Sequence, residues 1–97
     1  MIASFGDDAT ADLFHGNASA RVRRFPADIR PRAIRKLDML NATADINDLR
    51  APPSNHLEKL GGDLAGLWSI RVNDQWRIVF QWNEGSAFDV RLTDYHH

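Results

Sequence analysis

The chain has 97 residues, 43% of them apolar, no cysteine, and a formal net charge of −1. That length supplies one modest core, so a single folded domain over residues 1–97 is expected, while disulfide scaffolds and thiolate metal sites are excluded. The opening residues, Met1-Ile2-Ala3-Ser4-Phe5-Gly6, carry neither a basic start nor a long apolar run, so no signal peptide or membrane span is expected and the assigned location is cytoplasmic.

In chain order, Ile2 to Phe5 reads as an edge strand, and Asp8 to Phe14 as a short helix that stops at Gly16. The next segment is strongly basic: residues 21–36 contain Arg21, Arg23, Arg24, Arg30, Arg32, Arg35 and Lys36 against Asp28 alone, a count of +6. Residues 1–16 carry Asp7, Asp8 and Asp12 with no Lys or Arg, so the molecule should be electrostatically two-sided. A basic run of this kind is equally a solvated helix face or a surface for phosphate. Asp28 is placed to cap a helix starting at Ile29, in which Pro31 is tolerated in the first turn. Ile29, Ala33, Ile34, Leu37 and Leu40 then form an apolar stripe that ends near Asn41.

Thr43 is read as the cap of a single turn through Leu49, followed by a rigid break at Ala51-Pro52-Pro53-Ser54-Asn55. From Leu67 the period changes to two. Trp68, Ile70 and Val72, then Trp76, Ile78, Phe80 and Trp82, then Phe88, Val90 and Leu92 mark three strands joined at Asn73-Asp74 and Asn83-Glu84-Gly85. Such short connections require an antiparallel meander, and its large apolar face must be covered by the upstream helices. The fold class is therefore α+β, a compact domain with N-terminal helices packed on one face of a twisted antiparallel sheet.

Parity places Ser69, Arg71, Arg77, Gln81, Asp89, Arg91, Thr93 and Tyr95 on the opposite face, which is expected to be wet. Its three arginines, with Tyr95-His96 at the end of the last strand, suit an anionic ligand. His15, His56, His96 and His97 lack zinc-ligand spacing, the acids do not form a calcium loop, and no Gly-rich phosphate loop occurs, so neither metal nor cofactor is expected.

Gly62-Asp63, Trp68-Ser69-Ile70, Trp76-Arg77-Ile78 and Asp94-Tyr95-His96, with the Met1-Ile2 and Ser4-Phe5 opening, resemble the HigB-type toxins of the RelE superfamily over essentially the whole chain. The resemblance implies a toxin of a type II toxin–antitoxin pair: a metal-independent endoribonuclease that cuts messenger RNA in the ribosomal A site. It also implies a helix-turn-helix antitoxin of the HigA type, bound to the toxin in a hetero-oligomer. By position it assigns Arg77 to phosphate and transition-state stabilisation, Tyr95 and His96 to the terminal catalytic motif, and Asp94 to orienting that imidazole or the neighbouring loop. His96 is preferred for proton transfer because an unperturbed imidazole titrates near neutrality.

Two positions depart from the pattern. Where many relatives carry His-Pro-Leu-Lys-Gly-Asp, this chain has Glu58-Lys59-Leu60-Gly61-Gly62-Asp63, so Glu58 replaces a histidine and Gly61 a lysine. Lys59, His56 or Glu58 itself are the candidate substitutes, with Arg71 and Arg91 completing the expected RNA-binding set. The departures open a second reading, a RelE-fold module that binds antitoxin or ribosome with weak or no cleavage. A DNA-binding regulator using residues 21–36 is a third, with no recognition-helix pair to support it.

Overall fold

The structure, a computed structural model, describes residues 1–94, so the assignments made to Tyr95 and His96 lie outside the described residues, as does His97. Helix α1 spans Asp8–His15, its start fixed by Asp7, whose carboxylate accepts from the Thr10 amide at 2.7 Å, and its end by Gly16 in the left-handed conformation. Helix α2 spans Arg30–Ala42. The expected Asp28 cap is not formed. Ile29 occupies the cap position without a side-chain bond, and the entry is tied instead by Arg30, whose Nε donates to the Phe25 carbonyl at 2.9 Å.

Thr43 likewise ends α2 rather than starting the next turn, its hydroxyl donating to the Met39 carbonyl at 2.8 Å. The short 3₁₀ turn Ile46–Arg50 is capped by Asp45, and a second, Pro53–Asn55, follows the cis Ala51–Pro52 bond. Strand β1 (Glu58–Lys59) comes next, then β2 (Leu67–Arg71), β3 (Trp76–Asn83) and β4 (Ser86–Asp94). Among the described residues these make a four-stranded antiparallel sheet in the order β1-β2-β3-β4, one strand more than the expected meander. The Ile2 to Phe5 segment lies parallel to β4 through isolated bridges at Ile2 and Phe5 and covers that edge without becoming a full strand.

The helices pack on one face of the sheet, as the apolar stripe required. Ile29, Ala33, Leu37 and Leu40 of the α2 region meet Ile70, Val72, Ile78, Phe80, Val90 and Leu92 in one buried cluster, with Trp68, Trp76 and Trp82 half-buried against it. Phe88 is a correction. The register changes between the Gln81–Phe88 and Val79–Arg91 pairs, so β4 carries one extra residue at a bulge that places Asp89 at a φ of 53°. That residue reverses the parity of the first part of β4: Ala87 enters the core, and Phe88 lies opposite Gln81 on the far face. Among the described residues no helix is long and apolar enough to cross a membrane.

Candidate RNA-binding site

Asn73-Asp74 joins β2 to β3 as a tight turn whose geometry is set by the Asn73 side chain, which accepts from the amides of Gln75 and Trp76 at 2.9 and 2.7 Å. A two-residue shift in register would separate them, but the pairing aligns Arg71 directly opposite Arg77. Two like charges at such a pair repel, and the sheet accommodates them by sending their heads to different partners. Arg71 pairs with Asp74, and its Nη1 lies 3.5 Å from His56 Nε2. Arg77 turns under the sheet edge, where Nη1 donates to the Ser69 hydroxyl at 2.9 Å, Nη2 donates to the His56 carbonyl at 3.1 Å, and Glu58 lies 3.5 Å away.

His56 therefore touches both arginines, its ring meeting one and its carbonyl the other. It can do so because its backbone is left-handed, with φ 41° and ψ 56°, a conformation that a non-glycine residue adopts only when its surroundings hold it there. The same arrangement corrects the expectation of a uniformly wet far face. The first pair of β1 sets Glu58 across from Ser69, so Ser69 is fully buried, Arg77 is 8% exposed and Val79 4% exposed, while Gln81, Asp89 and Arg91 remain in solvent.

Beside this pair opens a cleft of about 530 Å³ between α2 and the β2–β3 turn. Arg32, Arg35 and Lys36 form its helical wall, Ser54 and His56 its loop wall, and Arg71, Asn73 and Asp74 its sheet wall. Three guanidinium groups and one amine thus face one carboxylate, and that carboxylate is already paired with Arg71. Lys36 is further held by Asn55, to whose Oδ1 it donates. Burial, and then the charges of Arg32 and Arg35, hold its amine below the ordinary lysine range.

The structure distributes the sequence-derived candidates unevenly. His56 and Arg71 line the cleft, and Glu58 and Arg77 form the pair behind it. Asp94 ends β4 opposite Trp76 and accepts from Gln75 Nε2 at 2.9 Å, which brings it to the neighbouring turn. Lys59 and Arg91 are not in the cleft wall: Lys59 sits 5.6 Å over the Trp68 ring, and Arg91 lies across from Val79 further along the sheet. Arg32, Arg35 and Lys36 were legible only as part of a basic run. What their sequence could have shown is their spacing, since i, i+3 and i+4 share one helix face beside the apolar stripe. Among the described residues no group of three or more His, Asp or Glu side chains is placed to hold a metal ion.

Known proteins resemble this chain in sequence and in fold. The family model described as RelE-like toxin of type II toxin–antitoxin system HigB matches residues 3–96. The chain is 46% identical over 72 residues to Toxin HigB-1 of Vibrio cholerae, covering 74% of this chain and 76% of that protein. It is 33% identical over 96 residues to Endoribonuclease HigB of Proteus vulgaris, covering 99% of this chain and 100% of the relative. Among solved structures, a YoeB/ParE toxin from Agrobacterium tumefaciens superposes over the full length of both chains with a TM-score of 0.51 at 21% identity, a likeness of fold.

Proposed function

The chain belongs to the HigB-like family of RelE-like toxins of type II toxin–antitoxin systems, and from that premise we propose that it cuts messenger RNA on the ribosome, with the α2–β2–β3 cleft as the path of the RNA backbone. Membership makes it a toxin with endoribonuclease activity and an antitoxin partner. The ribosome as the place of action, a helix-turn-helix HigA-type antitoxin in a hetero-oligomer and a cytoplasmic location are parts of the proposal.

The single observation that carries it is the clustering of the Arg32, Arg35 and Arg71 guanidinium groups, with the Lys36 amine among them, around one cleft in a chain whose net charge is −1. A chain without overall positive charge can compete for RNA only by concentrating its cations, because phosphate contacts dominate nucleic-acid affinity. Asp94 ends β4 beside the turn that forms the sheet wall, and Tyr95 and His96 enter the proposal from the family resemblance alone. In the reaction, the ribose 2′-oxygen attacks the adjacent phosphorus, the bond to the 5′-oxygen breaks, and a 2′,3′-cyclic phosphate results. His96 is assigned the proton for the leaving 5′-oxygen, with Tyr95 in support. Arg71 is assigned the phosphate contact. Arg77 adds positive charge from beneath and positions His56 through its carbonyl; its own contact with phosphate requires the half-exposed Glu58 carboxylate to give way.

The test is cleavage of a defined messenger RNA by purified chain with and without ribosomes, with the cut ends mapped for the wild type, Arg71→Ala and His96→Ala. Cuts within translated codons, present only with ribosomes and lost in both variants, are the expected result. Cuts that persist in both variants overturn the residue assignment, and growth arrest without any cut favours the non-cleaving module.

A further inference from the structure

Lys36 differs from an ordinary surface lysine in how it is held. It is one of only two lysines in the chain, and its amine donates to Oδ1 of Asn55, a residue with no solvent exposure. The Asn55 amide cannot turn over without cost, because its nitrogen donates to the Leu49 and Ala51 carbonyls at 3.1 and 3.3 Å, which fixes Oδ1 toward Lys36. One hydrogen-bonding position of the amine is thus anchored to the buried Asn55 side chain, and the rest of the group borders the cleft.

Its surroundings disfavour the ammonium form. Arg32 and Arg35 stand on its own helix, Arg71 and His56 face it from the sheet and loop walls, and the one carboxylate there, Asp74, is engaged by Arg71. We propose that Lys36 is a proton-transfer residue of the nuclease site, taking the proton of the RNA 2′-hydroxyl; the inference rests on the function proposed above. In this step the lone pair of neutral Nζ takes the 2′-hydroxyl proton as the 2′-oxygen–phosphorus bond forms. The phosphorus–5′-oxygen bond then breaks, and the 5′-oxygen receives the proton assigned to His96. The ammonium is created beside a phosphorane that is gaining negative charge, so the arginines that disfavour it in the free chain are offset when it is needed. The downward displacement of the Lys36 titration, caused first by burial, is in accord with this arrangement.

Two measurements test it. Reductive ¹³C-methylation labels Lys36, Lys59 and the Met1 amine, and the titration of Lys36 is followed by NMR in the folded chain, with Lys59→Arg for assignment. Lys36 is expected to titrate below the ordinary lysine range and to move upward in the Arg32→Gln/Arg35→Gln variant; a Lys36 that titrates within the ordinary range overturns the proposal. Single-turnover cleavage on ribosomes is then measured against pH for the wild type, Lys36→Arg and Lys36→Met, each first shown to be folded by circular dichroism. Both variants are expected to lose about 100-fold or more in rate and to lose the rise of rate with pH, while Lys36→Arg still binds ribosomes within about threefold of the wild type. A Lys36→Arg variant that cuts at the wild-type rate overturns the proton-transfer role alone. A wild-type chain that cuts no RNA overturns the nuclease reading, and this role with it.

Discussion

Replacing Arg77 by methionine keeps most of the side-chain stem and removes the guanidinium, so the cost of losing its contacts with Ser69, His56 and Glu58 can be worked out. The fully buried Ser69 hydroxyl and the His56 carbonyl each lose a charged donor, at 2.9 and 3.1 Å. Bonds of this kind contribute about 1.5–3 kcal/mol each, and the one accepted by the neutral Ser69 hydroxyl falls at the low end. The Glu58 pair adds about 0–1 kcal/mol because its carboxylate is half in water. Against these stands the relief of no longer desolvating a guanidinium. The expected net loss is about 2–4 kcal/mol, which for a domain of this size lowers Tm by roughly 10–20 °C. Urea denaturation of Arg77→Met, Ser69→Ala and the double variant checks this, and a coupling of about 1 kcal/mol or more between the two sites is expected. An Arg77→Met chain within about 0.5 kcal/mol of the wild type, with no coupling, would refute the reasoning. The result also governs how an inactive Arg77 variant is interpreted, since lost folding and lost catalysis would give the same silent assay.

Two further outcomes follow from the N-terminal half. A Cβ on Gly6 would come within 2.8 Å of the Asp89 carbonyl oxygen, so Gly6→Ala must push the N-terminal segment from β4; a loss of about 1–3 kcal/mol and faster amide exchange at Gly6 and Val90 are expected. Asp12 has its carboxyl held below the usual range, first by the Ser19 hydroxyl at 2.8 Å and then by Asn17 and Arg21. Because its folded value lies under the unfolded one, its contribution to stability is complete above the ordinary aspartate range near pH 4 and is lost as pH falls through the folded value. Stability measured from pH 6 down to pH 2 should therefore fall less steeply in Asp12→Asn than in the wild type.

The fold was legible wherever periodicity alone decides which side a residue faces. Ala33, Leu37 and Leu40 recur on one side of α2, and Ile70, Ile78 and Phe80 on one side of the sheet, so each element announces its buried face. Phe88 was illegible because one inserted residue in β4 reverses parity, and an alternating sequence carries no mark of such an insertion. Strand β1 was missed for a different reason: two residues are too few to show a period, and they pair only because β2 offers an edge. The site was half-readable. Arg71, Arg77 and His56 could be named from sequence, but the inward turn of Arg77 depends on Ser69 and on the His56 carbonyl, and long-range contacts of that kind have no local signature.

The opposed arginines show where the sheet departs from what stability alone would choose. Arg71 stands directly across from Arg77, and like charges so placed are unfavourable in an antiparallel pair. Arg77 is compensated by the buried Ser69 hydroxyl and the His56 carbonyl, whereas Arg71 has an exposed aspartate whose side chain is 94% accessible, a pair that contributes little. If Arg71 is present for the cleft, the fold should not depend on it. Arg71→Thr, which puts a strand-favouring residue at the position, is expected to leave the free energy of unfolding within about 0.5 kcal/mol of the wild type. The same variant should bind ribosomes or single-stranded RNA more weakly and flatten the dependence of log affinity on log salt by about 0.7–0.9, the change for one lost phosphate contact. Stability lost with the salt slope unchanged would make Arg71 a structural residue and move the RNA path away from the sheet wall of the cleft.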